Sequence, residues 1–192
     1  MRLFVAIYPP RPAVDDLTAE VTRLRVGVAS AAGTNVRLAD PAKAHLTLAF
    51  LGDVEENRLV EVVSALGLAA ETFRDGRDSS LRLRLGGGGS FGRGRFTVLW
   101  VDVRGDLDGL ATLARLIRFR LRRADLPHDD KPFRAHLTIA RPGDRIERTE
   151  ILADREALHA YDGPEWPAEE LVLVRSRPGP NPTYARLAAW PL

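Results

Sequence analysis

The 192-residue sequence contains no cysteine, so disulfides, thiol nucleophiles and cysteine-ligated zinc are all excluded. Lysine is scarce as well, because Lys43 and Lys131 are the only two and arginine supplies the remaining basic charge. No apolar run approaches the roughly 20 residues that a membrane helix needs. The start, Met-Arg-Leu-Phe-Val-Ala-Ile, has no small-residue cleavage site and predicts a first strand instead of a signal peptide. These absences fit a reducing compartment, and we expect a cytoplasmic protein.

The sequence also lacks a large excess of either positive or negative charge. Lys and Arg total 28 against 26 Asp and Glu, which leaves a net charge of only +2. Overall charge therefore does not identify a nucleic-acid partner, and only a local cluster of arginines could indicate one. The length suits one domain, or two small lobes that share a core. We predict a single domain over residues 1–192.

Strands alternate with amphipathic helices and hairpins along the chain, which predicts an α+β fold with antiparallel sheets. Apolar residues at three- and four-residue steps predict one helix over Pro12–Ala31. A second helix is predicted over Asp106–Ala124, with its first residue as the cap. Strict alternation predicts a strand over Leu81–Leu85, and the glycine-rich Gly86–Gly94 is predicted to be a loop. A turn over Pro178–Pro182 is expected to join the last two strands.

A hexapeptide occurs twice in the chain. Residues 44–49 read Ala-His-Leu-Thr-Leu-Ala and residues 135–140 read Ala-His-Leu-Thr-Ile-Ala, and these copies hold two of the four histidines. Such a repeat predicts a duplicated unit whose copies face each other about a pseudo-two-fold axis. On a strand, His45 and Thr47 share one face, as do His136 and Thr138, while the aliphatic residues between them face the core. Phe50, which follows the first copy, is expected in the core.

Two histidines and two threonines around one cavity suit displacement at phosphorus. Because an imidazole titrates near pH 6.5, one ring can accept a proton while the other donates one. Threonine hydroxyls can donate hydrogen bonds to phosphoryl oxygens, and Arg141 could add a positive charge by bidentate contact. This set of groups requires no metal and no cofactor.

The paired motifs, His45-Leu46-Thr47-Leu48 and His136-Leu137-Thr138-Ile139, resemble those of the 2H phosphoesterase superfamily. Within it, the chain is similar to bacterial and archaeal RNA 2′,3′-cyclic phosphodiesterases, which are also described as 2′-5′ RNA ligases. The similarity runs from the opening strand to the terminal Trp190-Pro191-Leu192. The resemblance implies a bilobal, duplicated α+β fold in which two antiparallel sheets face a central cleft, with helices on the outside.

The resemblance also implies an activity, which is hydrolysis of an RNA 2′,3′-cyclic phosphate to a terminal 2′-phosphate. It makes His45 the proton donor to the leaving 3′ oxygen and His136 the proton acceptor that activates water. Thr47 and Thr138 would bind the phosphate, and Arg141 would assist them. The expected partner is RNA with a 2′,3′-cyclic phosphate end, with tRNA fragments among the candidates. We expect a monomer that binds neither a metal nor a membrane.

Several alternatives stay open at this point. The segment Gly86–Gly94 lacks the Gly-Lys-Ser/Thr ending of a phosphate-binding loop, so it predicts a mobile hairpin. A further hypothesis is that Arg93 and Arg95 attract the RNA backbone at the mouth of the cleft while Phe91 stacks on a base. The same chemistry run in reverse would give 2′-5′ RNA ligation. A non-catalytic RNA-binding module, or a phosphoesterase with another cyclic phosphate as substrate, would share much of this pattern.

Overall fold

A computed structural model describes residues 1–179 and 182–192, so part of the turn predicted over Pro178–Pro182 lies outside the described residues. Within them, the α-helices are Arg11–Val21 (α1), Arg25–Ala31 (α2), Leu59–Asp75 (α3), Leu107–Arg123 (α4) and Arg148–Ala160 (α5). The strands are Arg2–Ile7 (β1), Leu46–Asp53 (β2), Leu81–Phe91 (β3), Val98–Gly105 (β4), His136–Ala140 (β5), Trp166–Ala168 (β6), Glu170–Arg177 (β7) and Thr183–Pro191 (β8). Among the described helices, none combines the length and the apolar character needed to cross a membrane.

The strands form two four-stranded sheets in which every neighbouring pair is antiparallel. The order is β2-β1-β7-β8 in the first sheet and β5-β4-β3-β6 in the second. β2 and β5, which carry the repeated hexapeptide, hold the same edge position in the two orders. This arrangement confirms the predicted α+β fold with two duplicated halves.

The second sheet is inserted into the first. After β2, the chain passes through α3 to β3 and then forms β4, β5 and β6, so residues 81–168 hold the whole second sheet. After β6, the chain returns to β7, which pairs with β1 in the first sheet. The first sheet is therefore built from two separate stretches of sequence, one with β1 and β2 and the other with β7 and β8.

One apolar core runs through both halves. It includes Leu3 and Leu171 from the first sheet, Leu83 from the second, and Leu110 from α4, all fully buried. Burial of a side chain of this size stabilises a fold by about 1.5–3 kcal/mol. The predicted cap of α4 is confirmed, because the Asp106 carboxylate accepts a hydrogen bond of 2.8 Å from the backbone N–H of Gly109.

The single helix predicted over Pro12–Ala31 is wrong, because the chain turns between α1 and α2. The carboxylate of Asp154, from α5, accepts hydrogen bonds from the backbone N–H groups of Arg25 (2.6 Å) and Val26 (3.0 Å) and so caps the start of α2. At the break, a Cβ on Gly27 would lie 2.0 Å from the carbonyl oxygen of Val21. The apolar spacing continues across this break, so periodicity alone does not reveal it.

The loop predicted over Gly86–Gly94 is also wrong for its first half, because β3 continues to Phe91. The absence of side chains at these glycines leaves space for large side chains from neighbouring elements. A Cβ on Gly89 would overlap the Trp100 ring at 2.0 Å, and a Cβ on Gly88 would lie 2.6 Å from Leu158. Only the tip of the β3–β4 hairpin, after Phe91, is a turn, and it contains a short 3₁₀ helix over Gly94–Phe96.

Candidate active site

The two repeated histidines are held in the same way. Nδ1 of His45 lies 2.7 Å from the carbonyl oxygen of Lys43, and Nδ1 of His136 lies 2.8 Å from that of Arg134. A carbonyl oxygen can only accept, so each Nδ1 must carry the hydrogen. In the neutral ring, Nε2 is then left as the acceptor, and it is the atom available for proton transfer.

A β-bulge follows the threonine in both motif strands. In β2, Thr47 pairs with Ala6 but Ala49 pairs with Val5, so one extra residue stands between them. In β5, Thr138 and Ala140 pair with Trp100 and Leu99, with the same insertion. Bulges re-aim the residues that follow them and are common beside active sites.

The bulge places the residue that directly follows each hexapeptide at the cleft. Phe50 pairs with Phe4, whose ring lies 4.8 Å from the ring of His45, and Phe50 is 47% exposed. The expectation of a core position for Phe50 is therefore wrong. Its equivalent in the second motif, Arg141, is exposed and lies near enough for its charge to lower the pKa of His45.

His45 sits among aromatic rings. Its ring centroid lies 4.8 Å from that of Phe4, 5.3 Å from that of Tyr184 and 5.9 Å from that of Tyr8. Burial lowers the pKa of His45, the hydrogen bond with the carbonyl of Lys43 opposes that effect, and the charges of His136 and Arg141 lower the pKa further. The influence of His136 on His45 means that the two imidazoles share one electrostatic environment, although they stand on different sheets.

His136 has its own aromatic wall. The Phe91 ring lies 5.3 Å from it and the Trp100 ring 5.7 Å, both edge-on. Trp100 can lie flat across β3 because Gly89 has no side chain, and the guanidinium of Arg134 covers the Trp100 ring at 4.3 Å. Phe91, at 39% exposure, keeps part of its ring open to the cleft.

The two motif threonines flank these histidines. Thr47 and Thr138 are half-buried, and within the described residues neither hydroxyl has a hydrogen-bond partner. Other threonines in helices and turns, such as Thr18 and Thr72, donate to a nearby backbone carbonyl. The hydroxyls of Thr47 and Thr138 are therefore free to donate to an anion in the cleft.

Reciprocal backbone bonds join the two motif strands. The segment before β2 reaches β5, because Ala39 N–H donates to the carbonyl of Ile139 (2.7 Å) and Arg141 N–H donates to that of Arg37 (3.1 Å). The segment before β5 reaches β2 in turn, where the N–H of Asp129 donates to the carbonyl of Phe50 (2.8 Å). These bonds fix the spacing between the two halves of the site.

Arg93 and Arg95 stand at the exposed tip of the β3–β4 hairpin, beyond Phe91. Within the described residues neither guanidinium has an ion-pair or hydrogen-bond partner, and that of Arg95 stacks on Phe96 at 4.8 Å. The structure thus brings Phe91 against His136 and leaves both arginines on the solvent side of the turn. Across residues 1–179 and 182–192, no three His, Asp or Glu side chains cluster closely enough to hold a metal ion.

Apart from Phe91, the aromatic walls are the part of the site that the sequence did not predict, and they include Trp100 and Tyr184. Strand parity offered a signal. In β1, alternate residues share a face, so Phe4 and Ala6 lie on one face and Tyr8, just after the strand, continues the same alternation. Leu3 lies on the opposite face, in the main core. That face points to the cleft, so an aromatic lining beside His45 could have been predicted.

Comparison with known proteins bears on the same region. The sequence model of the 2′-5′ RNA ligase superfamily matches residues 11–180. A protein of Thermus thermophilus named RNA 2′,3′-cyclic phosphodiesterase is 29% identical, with all of this chain and 90% of the relative covered. A protein of the same name from Archaeoglobus fulgidus is 31% identical over 73% of this chain and 72% of the relative.

Solved structures share the whole fold. The crystal structure of TT0787 from Thermus thermophilus matches with a TM-score of 0.74 and 29% identity, covering 100% of this chain and 98% of that one. Escherichia coli LigT in its apo form matches with a TM-score of 0.73 and 23% identity, covering 99% and 96%, and shows the same fold. Since the family match spans most of the chain and both motifs, the protein belongs to the 2′-5′ RNA ligase superfamily.

Proposed function

We propose that this protein hydrolyses RNA 2′,3′-cyclic phosphate ends to 2′-phosphate ends by two-histidine general acid–base catalysis. One observation carries the proposal. Two imidazoles from equivalent strands hold their Nδ1 atoms on backbone carbonyls, which leaves both Nε2 atoms for proton transfer, and each motif supplies a threonine hydroxyl without a partner among the described residues. The names of the relatives from Thermus thermophilus and Archaeoglobus fulgidus support the same reaction.

The proposed step conserves protons across the site. Nε2 of one histidine takes a proton from water as the water oxygen bonds to phosphorus. The bond from phosphorus to the 3′ oxygen breaks, and Nε2–H of the other histidine protonates that oxygen. Following the family resemblance, we assign His136 as the acceptor and His45 as the donor.

Three further side chains would stabilise the charge on phosphorus. The hydroxyls of Thr47 and Thr138 can each donate to a non-bridging oxygen, and the guanidinium of Arg141 can bind the phosphoryl group by two parallel hydrogen bonds. Donors placed in advance around a developing negative charge are a large source of rate acceleration. Because these groups supply both proton transfer and positive charge, the proposed reaction uses no metal.

The RNA beyond the phosphate would contact the rim of the cleft. Phe50 and Phe91 present exposed aromatic surface on which a base can stack, which is worth about 1–3 kcal/mol per base in single-strand binding proteins. Arg93 and Arg95, at the hairpin tip beyond Phe91, would attract the backbone and make binding dependent on salt.

The experiment follows an oligonucleotide with a 2′,3′-cyclic phosphate end and identifies the product against 2′- and 3′-phosphate standards. We expect a 2′-phosphate product, no effect of EDTA, and a kcat/KM lowered roughly 10²- to 10⁴-fold in both His45→Ala and His136→Ala, since general acid–base groups contribute about that much. Glu71→Ala, at an exposed position on α3, is the control and should behave as wild type.

Each other outcome identifies a different function. A kcat/KM close to the wild-type value in either histidine variant would contradict the two-histidine mechanism. RNA binding without turnover by the wild type would identify a non-catalytic module, and turnover of cyclic mononucleotides alone would indicate another substrate class. When a second RNA with a 5′-hydroxyl is present, a longer product with a 2′-5′ linkage would reveal ligation by the reverse reaction.

A further inference from the structure

An acidic side chain that the proposed mechanism does not use stands beside His136. Asp102, on β4, is the antiparallel register partner of His136 on β5. Side chains of such partners point to the same face of a sheet, with Cβ atoms about 4.5–5.5 Å apart. The Asp102 carboxylate therefore lies on the cleft side of the second sheet, next to the imidazole.

A glycine bulge leaves space around this carboxylate on its other side. In β3, Leu85 pairs with Val103 and Gly88 with Val101, so Gly86 and Gly87 together stand opposite Asp102. Gly87 has a φ of +83°, and a Cβ there would lie 3.1 Å from Cβ of Asp102 and 3.5 Å from its Oδ2. Glycine thus keeps a side chain away from the carboxylate, which stays half-buried and within reach of the cleft.

Four positive or titratable groups face Asp102, namely Arg134, His136, His159 and Arg104. Arg104 already binds Asp162 at 3.2 Å and the carbonyl of His159 at 3.0 Å, and Arg134 lies over Trp100. Within the described residues Asp102 itself has no hydrogen bond and no ion pair. Burial raises the pKa of Asp102, while these four neighbours lower it.

The surroundings of His45 are different. The charged groups that lower its pKa are His136 and Arg141, and both oppose a proton on His45. An anion beside an imidazole favours its protonated form, whereas cations disfavour it. The two histidines of the duplicated site thus have different electrostatic surroundings. His45 has cationic neighbours, whereas His136 has the carboxylate of Asp102 beside it.

We propose that Asp102 is a positioning residue that stabilises the imidazolium form of His136. The carboxylate takes no proton and makes no bond to Nδ1, which is held by the carbonyl of Arg134. It acts through the cleft face, where it balances the positive charge that appears when Nε2 of His136 accepts a proton from water. The effect of Asp102 on the reaction rate rests on the proposed function. Its effect on the protonation of the His136 imidazole does not, because that effect exists without substrate.

The direct test is a proton NMR titration of the four histidine rings, with His136 assigned by comparison with His136→Gln. In Asp102→Asn, which removes the charge and keeps the shape, we expect His136 to titrate at a lower pH than in the wild type, because an anion beside an imidazole favours its protonated form. Asp102→Glu keeps the charge and should keep most of the wild-type value. Asp53→Asn, an exposed acid at the end of β2, makes the same change of net charge far from β4 and should leave His136 unchanged.

The kinetic test is the pH profile of kcat/KM on the cyclic-phosphate oligonucleotide. In Asp102→Asn we expect the limb that reports His136 to move to lower pH. If that limb is the acidic one, His136 is the base, and if it is the alkaline one, His136 is the acid. A merely structural role for Asp102 would lower kcat without moving either limb.

The proposal is overturned if His136 titrates at the same pH in Asp102→Asn, wild type and Asp53→Asn. Should the Asn variant fail to fold, Asp102→Ser removes the charge with a smaller side chain and is judged by the same titration. A wild-type protein that lacks turnover would defeat the proposed function, yet the NMR titration would still decide the role of Asp102.

Discussion

At the scale of single residues, the two copies of the motif differ most at the residue that directly follows the hexapeptide. The copies match from the alanine before the histidine through the next alanine, apart from one Leu-to-Ile change, and then diverge to Phe50 and Arg141. Because the bulge turns this position toward the cleft in both copies, one side of the site gains an exposed ring and the other a cation. We therefore expect this pseudo-symmetric scaffold to bind an asymmetric ligand, with a phosphate toward Arg141 and a base toward Phe50.

The first prediction concerns Arg141. We expect Arg141→Ala to lower kcat/KM by about 10²- to 10³-fold, because loss of one preorganised donor to a developing charge typically costs about 2.7–4 kcal/mol. Arg141→Lys should recover only part of the loss, since an ammonium keeps the charge without the bidentate geometry. Arg37→Ala is the control, because Arg37 supplies a backbone carbonyl to this region. A wild-type kcat/KM in Arg141→Ala would remove Arg141 from the site.

The sequence predicts residues of the site wherever a strand is regular, and it fails where one is not. Strand alternation puts His45 and Thr47 on one face, and likewise His136 and Thr138, because no register shift falls between them. The bulge after each threonine reverses the alternation. A regular strand would put Phe50 on the core face with Leu46 and Leu48, and the bulge turns it toward the cleft instead. A bulge depends on pairing with a neighbouring strand, so no local pattern in β2 reveals it.

At the scale of secondary-structure elements, β3 shows why a glycine run need not be a loop. Glycines are unfavourable in strands for entropic reasons, so their composition predicts a turn. In β3, however, these glycines admit Trp100 and Leu158 from neighbouring elements, and the apolar burial of those side chains compensates. The break between α1 and α2 has a similar origin, since the capping carboxylate comes from Asp154 in α5, more than a hundred residues away.

The second prediction concerns Gly89. In Gly89→Ala the new methyl group would lie 2.0 Å from Trp100, so the indole must shift away from its place beside His136. Overpacking of this kind costs about 1–3 kcal/mol of folding free energy, and we expect kcat/KM to fall as the wall of the site moves. Gly179→Ala, where an added Cβ would lie within 4 Å of no other group among residues 1–179 and 182–192, is the matched control. Equal stability of the two variants in urea denaturation would contradict the packing argument.

At the scale of the whole molecule, a shared core joins the two lobes. The second sheet, within residues 81–168, is inserted between β2 and β7 of the first sheet, and residues of both sheets share one continuous core. Unfolding of one lobe would expose the apolar residues of the other lobe that pack against it. The lobes are therefore expected to fold as one cooperative unit, in spite of their internal symmetry.

The third prediction is a single unfolding transition, and the tryptophans allow each lobe to be observed separately. Trp190 lies on β8 of the first sheet, while Trp100 and Trp166 lie on β4 and β6 of the second. Fluorescence of a Trp190→Phe variant thus follows the second lobe, and fluorescence of a Trp100→Phe, Trp166→Phe variant follows the first. We expect both denaturation curves to coincide with the circular dichroism curve of the same variant, as a two-state transition requires.

A destabilising change in one lobe then decides whether the two are coupled. Leu83→Ala, at a fully buried position in β3, should cost about 2–5 kcal/mol, as leucine truncations in cores do. If the lobes form one unit, this change lowers the denaturation midpoint reported by Trp190 as much as that reported by Trp100 and Trp166. If the lobes unfold independently, the Trp190 midpoint stays where it was, and the shared core would then join the lobes in space without joining them thermodynamically.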